Sequence, residues 1–208
     1  MDILTIIVSI FILVMSVVIH ELSHGYTAEL LGDPTPRLQG RLTLNPLKHL
    51  EMFGSVIVPI ITSFLGLTFG WAKPIIWNPY NVKNKRWGEF LISIAGPASN
   101  LLIALFFGLL VRYGLTVIPS PSLNIPFIRI SLFIVNINII LAVFNMIPLP
   151  PLDGSKVLFA ILPQSMIKIR ETIEQYSIFF FLFIVLFLWK FIDPIILFIF
   201  KLITGVEV

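Results

Sequence analysis

His20 and His24 stand four residues apart, with Glu21 directly after the first. On a helix, residues four apart share one face, so two imidazoles can reach one divalent cation. Glu21 lies about 100° further round the same helix, close enough to take a proton from water held at that cation. His-Glu-x-x-His therefore carries the parts of metal-assisted hydrolysis. The chain has three histidines in 208 residues, and two of them are in this motif. A shuffled chain of the same composition holds such a motif on the order of once in a thousand cases. Cysteine is absent. Disulfides and thiolate ligands are excluded, and a cation here must take imidazole and carboxylate ligands, a set that suits zinc.

A hydrolytic zinc site needs three protein ligands and one open position. The third histidine, His49, lies in a polar loop beside Lys48 and Glu51 and reads as a solvated interfacial residue. Asp2, Asp33 and Asp193 have no neighbours that suggest a site. Asp153 differs, because it closes the stretch Asn145-Met146-Ile147-Pro148-Leu149-Pro150-Pro151-Leu152-Asp153-Gly154. Three prolines there break a helix, free backbone carbonyls and can aim a carboxylate inward. An Asp before Gly also suits an ordinary turn, and local chemistry does not choose between the two.

The elements that hold these residues must sit in a bilayer. Apolar residues make up 57% of the chain, charged residues 12%, and the mean hydropathy is +0.99. Soluble domains carry about 25% charged residues. Apolar segments at 3–28, 52–72, 90–111, 127–147 and 176–200 approach or exceed the ~20 residues needed to cross a membrane. The expected fold is an all-α polytopic membrane protein, a single domain over 1–208. A formal charge of +3 is small for this length and gives no reason to expect nucleic acid. No basic stretch precedes the first apolar run, which carries the motif itself, so it is expected to be retained rather than removed as a signal peptide.

The segment 52–72 is interrupted by Gly54, Pro59, Gly66 and Gly70, with Pro74 and Pro79 after it. Broken backbone at membrane depth is tolerated only where protein or water covers it, which favours a re-entrant segment over a crossing. Charge favours it too. With re-entry, the side reached by the end of the first helix holds ten Lys and Arg and the other side three; with a crossing the split is six against seven. Only the first split obeys the positive-inside rule. It puts that side in the cytoplasm and the N-terminus outside. About four transmembrane helices result.

Residues 37–44 alternate polar with mostly apolar side chains between turn-forming prolines. This spacing predicts a short β element that could receive an extended peptide; an interfacial loop fits equally. Ile118-Pro119-Ser120-Pro121-Ser122 reads as a connector, and Lys168 to Glu174 as a solvated amphipathic stretch. Lys190 and Asp193-Pro194 interrupt the last apolar run. That suggests a span ending near Trp189 followed by an interfacial helix, with a kinked single span as the alternative.

The motif at 20–24, Ala95-Gly96-Pro97-Ala98-Ser99-Asn100, and Asn145…Pro148…Leu152-Asp153-Gly154 together resemble the site-2 protease family of intramembrane zinc metalloproteases. Gly32 to Arg41, Leu44-Asn45-Pro46 and Phe69-Gly70-Trp71-Ala72-Lys73-Pro74 resemble its compact prokaryotic branch. These matches are spread over about residues 16–160. The resemblance implies that His20, His24 and Asp153 hold one Zn2+ per chain and that Glu21 is the catalytic base. It also implies that Asn145 and Asn100 line or support a cleft. No insertion is long enough for the peptide-binding module that some relatives carry, and no tail for a nucleotide-binding one. A shared zinc further requires the end of the first span and the end of 127–147 to lie on one side, which again needs 52–72 to re-enter.

The implied function is hydrolysis of peptide bonds in or near transmembrane segments of membrane-protein substrates, within the lipid bilayer of the cell membrane. The zinc site then lies toward the cytoplasm. The alternative is a non-proteolytic zinc-binding membrane protein, a transporter or inactive scaffold. Transport usually needs ionisable residues in several spans, whereas here they are nearly confined to the motif. Asn138 and Asn145, seven apart, share a helical face. Asn138 suits helix–helix bonding as well as a cleft.

Overall fold

Uninterrupted apolar runs of leucine, isoleucine, valine and phenylalanine have no means of satisfying their backbone in lipid except as helices. In a computed structural model, which describes residues 3–51, 73–114, 121–163, 166–177, 179 and 189–206, that is what they form. The elements are α1 (Ile3–Leu30), α2 (Thr35–Leu38), a 3-10 turn (Pro46–Lys48), α3 (Lys85–Gly114), α4 (Pro121–Asn145), α5 (Asp153–Ile161), α6 (Ile167–Gln175) and α7 (Trp189–Thr204). Among the described residues three helical stretches, Ile3–Leu30, Lys85–Tyr113 and Ile125–Asn145, are long and apolar enough to cross a membrane.

The directions of these helices follow from which residues meet. His24 of α1 reaches the carbonyl of Ile92 on α3, and His20 reaches Asn100. Higher numbers on α3 thus meet lower numbers on α1, and the two run antiparallel. Asn138 of α4 donates to Ser16, while Asp153, just past the end of α4, meets His20. α4 therefore runs parallel to α1. The C-terminal ends of α1 and α4 and the N-terminal end of α3 lie on one side of the bundle.

α7 packs along α3 and α4. Ile192, Ile196 and Phe200 are buried in a cluster with Ala104, Val135, Ile139 and Leu152. Lipid tails are as apolar as leucine, so helices in a bilayer associate through close packing at small residues. Gly108 provides such a point: a Cβ there would lie 2.2 Å from Ile203. Arg112 donates to the carbonyl of Leu202 at 2.9 Å, placing the C-terminal end of α7 opposite the metal-facing side. The helix beyond Trp189 is continuous through Pro194 and packs along the bundle, while the residues just before it lie outside the described ones.

Two expectations change. Residues 37–44 form no strand: α2 covers Thr35–Leu38 and turns follow, and no strand occurs among the described residues. The cause is Asp33, whose Oδ1 accepts from the Thr35 amide at 3.1 Å and from the Thr35 hydroxyl at 2.5 Å, starting a helical turn that overrides the alternation. His49 is not solvated either. It is 1% exposed, and its Nε2–H donates to the Thr43 carbonyl at 2.8 Å. The segment 52–72 and most of 176–188 lie outside the described residues. The described flanks of 52–72 nevertheless meet, because the Lys73 amide donates to the His49 carbonyl at 2.8 Å.

Past Lys73 the chain runs without helix or strand to Asn78. It is pinned where the Ile75 amide donates to Glu21 at 2.8 Å and the Asn78 amide to Asp33 at 2.6 Å. Buried Asp33 also accepts from Asn81 at 2.8 Å. Burial alone would raise its carboxyl, but the bonds from Thr35, Asn81 and Asn78 outweigh this and hold it below its ordinary range.

Candidate metal centre

Helical spacing puts His20 and His24 on the face of α1 that meets α3, and both are buried. Each ring is oriented through Nδ1. His20 Nδ1 lies 2.6 Å from Asn100 Oδ1, and His24 Nδ1 lies 2.6 Å from the Ile92 carbonyl. A carbonyl can only accept, so each Nδ1 carries its proton and donates it. That leaves the Nε2 lone pairs free to face a cation, an outer-shell arrangement typical of metal-bound histidine.

Asn100 is itself held. It is fully buried and its Nδ2 donates to Asn138 Oδ1 at 2.7 Å. Asn138 Nδ2 in turn donates to Ser16 Oγ at 3.0 Å and to the Ile134 carbonyl at 2.9 Å. The amide chain has only one self-consistent direction, and it delivers an oxygen to His20.

Asp153 is the first residue of α5, where the helix dipole favours a carboxylate. The turn before it must fold tightly. A Cβ on Gly154 would lie 2.3 Å from the Met146 carbonyl oxygen, so only glycine fits there. At the other end of α5, Arg86 donates to the Ala160 and Ile161 carbonyls at 2.5 and 2.6 Å, fastening α5 to the start of α3. Asp153 Oδ2 then lies 3.1 Å from His20 Nε2 and 3.1 Å from His24 Nε2, which are themselves 3.1 Å apart. Its Oδ1 takes Lys156 Nζ at 3.3 Å.

Three acceptor atoms thus converge from α1 and α5 with their proton donors turned away. Tetrahedral zinc with bonds of about 2.0–2.2 Å sets its ligand atoms roughly 3.3–3.5 Å apart, close to the spacing found. The space beside them is kept clear by Gly96 of α3. A Cβ there would lie 2.4 Å from His24 Nε2 and 2.6 Å from His20 Nε2, near bonding distance from both nitrogens. His20, His24 and Asp153 are also the one group of this kind among the described residues, and the donor set fits zinc.

Glu21 sits beside this cluster and lines, with His24, Asp153, Lys156, Ser93 and Trp77, a cavity of about 40 Å³, room for a few waters. The structure brings together His20, His24, Asp153 and Glu21, and it adds Asn100 as a partner of His20. It does not bring Asn145 to the cluster: its Nδ2 donates to the Leu141 carbonyl of its own helix at 2.9 Å. Sequence reasoning passed over the roles of Gly96, Lys156 and Ser93. The signal for Gly96 was present in its spacing, four residues before Asn100 and so on the same helical face.

Residues 113–188, which include Asp153 and not the histidine pair, match the family model described as peptidase family M50. A protein of Bacillus subtilis (strain 168) named "Putative zinc metalloprotease YwhC" is 39% identical over 179 residues, 84% of this chain and 77% of that protein. "Putative zinc metalloprotease Rip2" of Mycolicibacterium smegmatis is 32% identical over 152 residues, 71% of this chain and 56% of that protein. The Mycobacterium tuberculosis (strain H37Rv) protein of the same name is 26% identical over 141 residues, 67% and 51% respectively. The chain thus spans about half the length of the mycobacterial relatives. No solved structure matches it.

Proposed function

The chain belongs to peptidase family M50, and on that footing we propose that it is a zinc-dependent metalloendopeptidase that cleaves peptide bonds in or near membrane-spanning segments of other proteins. The observation that carries this reading is the convergence of His20 Nε2, His24 Nε2 and Asp153 Oδ2 within 3.1 Å of one another around the space left by Gly96. His20, His24 and Asp153 hold the zinc. When bound, the metal supplies a Lewis acid that polarises the scissile carbonyl and acidifies water.

The protein's own groups do the rest. Glu21, oriented by the Ile75 amide on Oε2, takes a proton from the attacking water as the water oxygen bonds to the carbonyl carbon. It returns that proton to the amide nitrogen as the carbon–nitrogen bond breaks, leaving a carboxylic acid and an amine. Asn100 and Asn138 keep His20 in its working tautomer; in this reading Asn100 supports the site through His20, and Asn145 remains a candidate substrate contact at the mouth.

The membrane arrangement follows. Segment 52–72 re-enters, supported by the meeting of its flanks at His49 and Lys73. A span running to the end of α7 completes about four crossings. The side holding the zinc site, which carries ten of thirteen counted Lys and Arg, faces the cytoplasm of a cell membrane, with the N-terminus outside.

A Glu21→Gln variant tests the function. It should retain zinc by elemental analysis and lose at least about 10²-fold in cleavage of a co-expressed membrane substrate. Undiminished cleavage would reject the reading.

A further inference from the structure

Ser93 sits on α3 one turn before Gly96 and two before Asn100, on the stripe of that helix that faces the histidine pair. Its side chain is buried, at 2% exposure, and its hydroxyl has no hydrogen-bond partner among the described residues. That is unusual for a helical hydroxyl, which normally bonds to the carbonyl three or four residues back. Ser23, Ser99, Thr172 and Thr204 all do so here, at 2.7–2.8 Å. A buried hydroxyl without a partner is destabilising, so its place calls for an occupant.

The cavity that Ser93 lines is the one bounded by Glu21, His24, Asp153 and Lys156. The two carboxylates there can only accept hydrogen bonds, and the ammonium of Lys156 leans to the Asp153 side of the cavity, 3.3 Å from Oδ1. A substrate carbonyl entering this cavity needs a donor, and the uncommitted O–H of Ser93 can supply it. We infer that Ser93 is a further catalytic residue, whose hydroxyl donates to the scissile carbonyl oxygen as negative charge develops on it.

The inference rests on the endopeptidase reading and adds one interaction to it. As water bonds to the carbonyl carbon and Glu21 takes its proton, the carbonyl π pair moves onto the substrate oxygen, which accepts from Ser93. When that pair returns, the carbon–nitrogen bond breaks and the amine receives the proton from Glu21. The serine proton stays on Ser93 throughout.

The test uses the zinc-loaded full chain in detergent micelles, with Ser93→Ala and Ser93→Thr variants. Two probes are needed: a fluorogenic peptide carrying a membrane-spanning segment, and a phosphinic peptide that mimics the tetrahedral carbon. Ser93→Ala should keep its zinc and its KM. Its kcat should fall about 10²-fold, the loss typical of one such donor, and phosphinic affinity should fall by a similar factor. Ser93→Thr, which keeps the hydroxyl, should recover most of both. Unchanged kcat and phosphinic affinity in Ser93→Ala would overturn the inference, and so would loss of zinc in parallel with activity. Cleavage that needs Glu21 but ignores Ser93 sinks this inference alone. Serine-dependent phosphinic binding without any cleavage sinks the endopeptidase reading instead.

Discussion

At the scale of single residues, the site is as much a matter of what is kept out as of what is put in. His20, His24 and Asp153 supply the acceptor atoms, but Gly96 supplies the room. Gly96→Ala adds one methyl 2.4–2.6 Å from both Nε2 atoms, into the place a bound metal needs. The variant should fold, since alanine is a better helix former than glycine, yet bind zinc at least about 10²-fold more weakly by competition with a chelator. Wild-type affinity in a folded Gly96→Ala protein would refute this account of the cradle. The histidine pair and its glutamate were legible from spacing alone. Asp153 was only half legible, because an Asp-Gly after prolines suits a turn as well as a ligand. Its place depends on Arg86 fastening α5 from 74 and 75 residues away along the chain, and no local pattern carries that information.

At the scale of elements, the irregular stretch 73–78 matters because it brings the Ile75 amide to Glu21. Asp33 secures its far end, and it also starts α2, the short helix where an alternating pattern had suggested a strand. The overriding signal was local after all: an Asx turn over Pro34 and Thr35. The burial of His49, by contrast, left no trace in its polar neighbours Lys48 and Glu51. Asp33→Asn replaces an acceptor with an amide whose NH2 faces the N–H donors of Thr35, Asn78 or Asn81. Leaving such groups unsatisfied costs about 1–3 kcal/mol. The variant should unfold at lower temperature and label faster at a cysteine placed at exposed Ile76. The pH dependence has a definite sign. The folded carboxyl titrates below its ordinary 3.8, so its contribution is complete above that value and is lost as pH falls toward the folded pKa. The gap between wild type and Asp33→Asn should hold constant from about pH 5 to 8 and narrow below ordinary carboxylate values. A gap independent of pH down to 2 would mean that the ionised form is not what the loop uses.

At the scale of the whole molecule, one parity condition joins charge, topology and chemistry. The proposed metal ligands come from the C-terminal part of α1 and from the residue that follows the turn after α4. They can meet only if the chain between α1 and α3 leaves and returns on the same side of the membrane. The antiparallel fit of α1 and α3, read from the pairings of His24 with Ile92 and of His20 with Asn100, is the arrangement that condition asks for. The same arrangement collects the excess of Lys and Arg on the metal-facing side, as the positive-inside rule asks of a cytoplasmic surface. Neither observation depends on the other, and each would fail under a single crossing by 52–72. Because the chain has no cysteine, introduced ones report without background. Tyr80 and Tyr113 are both exposed and lie at opposite ends of α3 or its approach. In intact cells a membrane-impermeant maleimide should label Tyr113→Cys and spare Tyr80→Cys; in inverted vesicles the preference should reverse. Labelling of Tyr80→Cys from outside would put Glu21 on the wrong side for the proposed cytoplasmic release of products. Labelling of both positions from one side would break the antiparallel bundle on which the metal centre depends.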